Sequence, residues 1–215
     1  MKNYIISSLA FLFIATTIAC TTSKKPTTVR IEDEQNNVIE YQVMDYNYPL
    51  ADSIAKYSEA GASSDKVAKR MTTYADDLRP NMRDRASVMQ FNNGIIVAMD
   101  KGNVFEVSDA ILTETGKQQL QHLAFNLKQM PDTYILVVGR TDNTGTQELN
   151  EKLAYRRAAY AANYLRGCGI DESRLFIDSF GEKFPDHGNN SAYLRAKNRR
   201  VDFMIIPSNE MNKEQ

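Results

Sequence analysis

The sequence predicts an α/β fold, a two-layer sandwich of helices on a mixed β-sheet, preceded by a small α+β N-terminal segment. Two observations carry this. Strand-like runs such as "TYILVVG" (133–139) and "RVDFMII" (200–206) alternate with helix-length stretches whose apolar residues recur at helical spacing. The composition, 42% hydrophobic and 25% charged with ten Gly and six Pro in 215 residues, is that of an ordinary globular chain.

The elements follow in order. Residues 21–28 are Ser, Thr, Lys and Pro, a solvated tether with little apolar area to bury. "VRI" and "VIEYQVM" frame "EDEQNN" as a small hairpin, with Ile39, Tyr41 and Val43 alternating. Leu50–Ala60 and Asp65–Leu78 read as helices; the second places Val67, Met71, Tyr74 and Leu78 on one stripe, with Ser64 as N-cap and Pro80 just beyond its end. No motif in this segment carries chemistry, and it reads as a spacer with minor packing. "SVMQF", the turn "NNG" and "IIVAMD" form a second hairpin, since Asn-Gly takes the positive φ such turns need. "NVFEV" reads as a strand after the Lys101-Gly102 turn. A helix from about Thr113 to Gln129 carries Leu120, Leu123, Ala124 and Leu127 on one stripe and stops at Pro131. After strand "TYILVVG" come a helix from Thr146 to Arg166, a strand over Leu175–Ser179, a short helix over Asn190–Ala196 and the closing strand.

The N-terminus has the order of a secretory signal: one Lys, an apolar run from Tyr4 to about Ala15, then small residues up to Cys20. Thr17-Ile18-Ala19-Cys20 looks like a bacterial lipobox, with Thr17 where Leu is usual. This predicts a signal peptide over 1–19 and lipidation of Cys20. "TTSKKPTT" beyond it contains no acid, which resembles an outer-membrane lipoprotein facing the periplasm. The second cysteine, Cys168, reads as a small apolar residue without a disulfide partner.

The Thr146–Arg166 helix raises a question. Leu149, Leu153, Tyr160 and Tyr164 form one apolar edge, and Ala154, Ala158, Ala161 and Leu165 the other. Asn150 and Arg157 fall between these edges. A buried guanidinium needs a partner or a pocket. Asp142, in the turn after strand "TYILVV", is the obvious partner, at the sheet edge where open α/β folds place ligands. A direct Asp142–Arg157 salt bridge, an Arg157 snorkelling to water and a ligand pocket all satisfy the periodicity.

Beyond periodicity, the sequence resembles the OmpA-like peptidoglycan-binding domain family, shared by OmpA C-terminal domains, Pal-type lipoproteins and flagellar stator proteins. The family pattern matches Gly139, Thr141, Asp142, Asn150, Leu153, Arg157 and Ala158; "VFEVSDAIL" resembles its opening, Gly181 and Pro185 its Gly-x-x-x-Pro turn, and "NRRV" (198–201) its closing motif. The resemblance covers residues 82–207, leaving 20–80 as tether and N-terminal segment and 208–215 as a polar tail. It implies binding of the diaminopimelate of the peptidoglycan stem, a residue whose free end is a zwitterion. Asp142 then takes the ammonium and Arg157 the carboxylate, bidentately. Asn150 and Thr144 add hydrogen bonds, and Ser108 stands where the family more often has Asn. Arg140 replaces the usual His and would add positive charge at the rim; Ala154 replaces a Ser.

Other classes fit less well. His122 and His187 lack partners at metal-ligand spacing and no nucleophile motif appears, so neither an enzyme nor a cofactor or metal is expected. A net charge of −1 and a single basic cluster, "RAKNRRVDF", argue against nucleic acid. Residues 4–19 contain no acid of the kind a stator channel needs. A surface-exposed adhesin is the alternative reading, and Tol-type or other envelope proteins are the candidate protein partners of a wall-binding lipoprotein.

Overall fold

A computed structural model describes residues 27–32, 38–43, 65–91 and 93–213. The predicted signal, Cys20 and the helix proposed over Leu50–Ala60 lie outside the described residues. In chain order the elements are β1 (Thr27–Glu32), β2 (Val38–Val43), α1 (Asp65–Met82), β3 (Ser87–Phe91), β4 (Gly94–Ala98), α2 (Glu114–Leu127), β5 (Thr133–Arg140), α3 (Gln147–Gly167), a 3-10 turn (Glu172–Arg174), β6 (Leu175–Gly181), α4 (Ala192–Asn198), β7 (Val201–Pro207) and α5 (Asn209–Lys213). The strands form one mixed sheet in the order β1-β2-β6-β5-β7-β4-β3. β5 and β6 run parallel, joined by the crossover helix α3, while β7 pairs antiparallel with both β5 and β4. The β1–β2 hairpin joins this sheet through a parallel contact between Val43 and Ile177.

Strand β5 explains why the fold centres where it does. Its run of β-branched residues supplies Ile135 and Val137 to the helix-covered core, and Leu136 and Val138 to a smaller cluster with Phe176 on the other face. A strand apolar on both sides belongs in the middle of a sheet. Helix α2 starts where Thr113 caps it, the hydroxyl accepting from Gly116 N at 2.9 Å, and α3 where Thr146 accepts from Leu149 N at 3.3 Å.

Four expectations change. Helix α1 runs through Pro80 to Met82 rather than stopping before it, because Leu78 and Met82 are both fully buried and hold the last turn against the core. The same helix is no spacer: Val67, Met71 and Ala75 join that core, and its Arg70 and Tyr74 each hydrogen-bond the Asp132 carboxylate at 2.7 Å, in the turn before β5. The unit that folds with the sheet therefore includes residues 65–82. "NVFEV" forms no strand beyond a bridge between Phe105 and Leu112; the chain turns back at Glu106–Asp109, with Ser108 at φ 59°. Residues 209–213 form a short helix that packs Met211 into the core, not a polar tail alone.

The buried arc of α3 is also turned from its predicted position. Leu149 is 61% exposed, while Ala154, Ala158, Ala161, Ala162 and Leu165 are fully buried. The helix sits so close to β5 that only small side chains fit between them. A β-carbon placed on Gly139 would lie 1.7 Å from the Ala154 carbonyl oxygen, so glycine is required there.

Candidate functional site

The site forms where β5 ends. A register shift between Gly139 and Arg140 lifts the chain out of the sheet. Thr141 N then donates to Gly181 O at 2.9 Å, tying this exit to the end of β6. Asp142 follows, 7% exposed. One of its carboxylate oxygens accepts from Thr144 N at 2.9 Å, folding the loop into an Asx turn, and Gly145, at φ 103°, redirects the chain into α3.

Asp142 pairs with Arg199 and not with Arg157. The Arg199 guanidinium donates to its second oxygen at 2.7 Å. Burial alone would push the Asp142 carboxyl up, but the bonds from Arg199 and Thr144 outweigh it and hold the group below the usual carboxylate range. The sign follows: the stability this carboxylate contributes is present above the unfolded pKa and is lost as pH falls through the lowered folded value.

Arg157 is 1% exposed. Its Nε donates to Asp109 O at 3.0 Å and Nη1 to Arg140 O at 3.1 Å, while the guanidinium carbon sits 5.3 Å from the centre of the Phe105 ring. No carboxylate forms an ion pair with it among the described residues. Burial lowers its pKa to about 10, the like charge of Arg199 adds to this, and Asp142 and Asp109 pull the other way. It remains a cation at neutral pH. Neither the direct salt bridge to Asp142 nor the snorkelling alternative describes it: Arg157 is an enclosed cation held by backbone carbonyls and a ring face.

The remaining predicted residues separate. Thr144 is exposed beside Asp142 and touches it through its backbone and its hydroxyl. Asn150, buried, donates from Nδ2 to Glu182 and so fastens α3 to the loop after β6. Ser108 is exposed in the turn that presents Asp109 O to Arg157; its left-handed backbone is one that Asn tolerates well. Arg140 does not add charge to the rim. It projects to the other face of the sheet, pairing with Asp202, donating to Phe184 O at 2.8 Å and lying over Phe180 at 4.9 Å.

Arg199 was missed as a site residue. "NRRV" was the signal: Asn198 exchanges bonds with the His187 backbone at 2.8 and 3.2 Å, Arg199 meets Asp142, and Arg200, 1% exposed, pairs with Asp186 and Asp202. Arg199 and Arg200 of that basic cluster are thus paired with carboxylates of the chain. His122 is exposed, and no group of three or more His, Cys, Asp or Glu suited to a metal occurs among the described residues. No helix among them is long and apolar enough to cross a membrane.

The sheet is covered on one face by helices and carries a charged loop cluster at the end of its central strand. Residues 104–199 match the OmpA family, and the chain carries an OmpA family domain over that span. It is 34% identical over 139 residues to "Probable lipoprotein YiaD" of Escherichia coli K12, covering 62% of this chain and 64% of that protein. It is 30% identical over 101 residues to the peptidoglycan-associated lipoprotein of Legionella pneumophila, covering 47% and 57%. The chain thus spans less than two thirds of the length of these relatives. Among solved structures it is similar to the cell wall anchor of the T6SS from Pseudomonas aeruginosa, with a TM-score of 0.54 and 25% identity over 66% of this chain and 99% of that one.

Proposed function

We propose that this protein binds peptidoglycan without catalysis, through the diaminopimelate of the peptide stem, and that Cys20, lipidated, holds it at the periplasmic face of the outer membrane. The observation that carries the reading is Arg157. Burying a guanidinium against carbonyls and a ring face costs several kcal/mol that no carboxylate of the described residues offsets by direct contact. An incoming carboxylate supplies that counter-charge. Asp142, whose two oxygens accept from Thr144 N and from Arg199 respectively, receives the ammonium of the same zwitterion; Thr144 adds a hydroxyl, Asn150 holds the loop, and Ser108 shapes the turn carrying the Asp109 carbonyl. The names of the Legionella and Pseudomonas proteins, one peptidoglycan-associated and one a cell wall anchor, support the same class of ligand. Two acyl chains are needed for stable anchoring, since one gives only marginal binding.

The test is sedimentation of the purified protein with insoluble peptidoglycan. The protein is expected in the pellet, and millimolar free diaminopimelate should return it to the supernatant. A protein that stays soluble, or a pellet indifferent to diaminopimelate, contradicts the proposal.

A further inference from the structure

Outside the ionic pocket, Phe184 stands out. It is 74% exposed and its backbone has φ 55°. A bulky side chain at positive φ is strained, and Pro185 after it further disfavours any conformation but an extended one. The turn from Gly181 to Pro185 needs a residue there that accepts positive φ, a need glycine meets without strain. The phenyl group brings little burial in return: its ring meets Phe180 edge-on at 5.9 Å between centres and otherwise faces solvent. Strain of this kind persists only where the surroundings fix it, and it clusters at ligand-contacting positions. The position is also held. Arg140 Nη1 donates to the Phe184 carbonyl at 2.8 Å and the same guanidinium lies over the Phe180 ring. The loop itself is bolted to the pocket, through Thr141 N to Gly181 O and Asn150 Nδ2 to Glu182.

We propose that Phe184 is a stacking platform for a sugar ring of the glycan strand, and that Arg140 positions it. This rests on the peptidoglycan reading and extends it from the stem to the polysaccharide. A phenyl ring neither donates nor accepts an ordinary hydrogen bond; its electron-rich face attracts the weakly positive hydrogens of a C–H surface. Pyranose rings present such a face. The stem's free zwitterion is its outer end, and the glycan lies at the other, so a ligand gripped at Asp142 and Arg157 extends away from Arg157. Phe184 shares its loop with Gly181 and Glu182, which bond Thr141, the residue before Asp142, and Asn150 of α3.

The experiment compares two soluble probes by calorimetry: a disaccharide–tripeptide carrying diaminopimelate, and the same tripeptide without sugar. The wild type is expected to bind the first about fivefold more tightly, the gain from covering part of one aromatic ring. Phe184→Gly keeps the turn and should lose that advantage while binding the sugar-free peptide as the wild type does. Phe184→Tyr should retain it. Arg140→Gln, whose backbone carbonyl can still accept from Arg157 Nη1, should reduce the advantage, read as the ratio of the two affinities. Equal binding of both probes by the wild type, or an undiminished advantage in Phe184→Gly, overturns the platform alone. Binding of neither probe by the wild type overturns the peptidoglycan reading, and the platform with it.

Discussion

Asp142→Asn is expected to weaken binding to diaminopimelate stem peptides by about 100-fold or more, the range seen when one member of a buried charge pair is removed. The substitution keeps the shape of the side chain, and its carbonyl oxygen can still accept from Thr144 N, so the loop should persist. What disappears is the negative charge. In the unliganded protein that charge serves Arg199, whose side chain is 29% exposed, so water takes over much of the compensation. The stability lost should be roughly 1 kcal/mol. In the complex the loss is larger, because the ligand's ammonium would face Arg157 and Arg199 with no carboxylate between. A folded Asp142→Asn protein with near-normal affinity would remove Asp142 from the site. Arg157→Lys is a poorer probe, because Arg157 Nε and Nη1 donate to two separate carbonyls and an ammonium reaching only one would destabilise the fold as well.

Gly139→Ala should destabilise the protein by about 3 kcal/mol or more, which for a unit of this size corresponds to a fall in Tm of roughly 10 °C. The added methyl group would sit 1.7 Å from the Ala154 oxygen and 2.5 Å from its carbonyl carbon. Those are backbone atoms, so no rotamer change relieves the clash, and Ala154→Gly in the same chain should not rescue it. Helix α3 must move off β5 instead, opening voids beneath Ala158, Ala161 and Leu165. Binding should suffer even in the surviving folded fraction, since β5 delivers Asp142 and α3 delivers Arg157. Thermal unfolding by circular dichroism measures the effect; a shift under 2 °C would mean that the close approach is not a constraint on the fold.

These two residues also mark what the sequence discloses. Period is local, so the α2 and α3 helices and the central strand were legible, whereas the partner of Asp142 was not: the sequence suggested Arg157 and the structure gives Arg199. Depth of burial is not local. The stripe on Asp65–Leu78 was visible, but nothing in its pattern separates a helix that packs on a core from one that spans a gap, and Pro80 suggested an end where tertiary contacts of Met82 carry the helix on. The alanine side of α3 won over the leucine–tyrosine side because Gly139 lets the helix approach, a relation between residues fifteen apart. Arg199 and the Asp109 carbonyl reach the pocket across 57 and 48 residues, which no spacing within one element can reveal.

The most direct measurement changes the ligand and leaves the protein intact. Titration calorimetry of the wild type with two stem peptides, one carrying diaminopimelate and one carrying lysine in its place, isolates the carboxylate that Arg157 is held to receive, since lysine keeps the ammonium and lacks the acid. The expected result is tight binding of the first peptide and affinity lower by about 100-fold for the second; equal affinity for the two would contradict the assignment of the enclosed guanidinium as the carboxylate site.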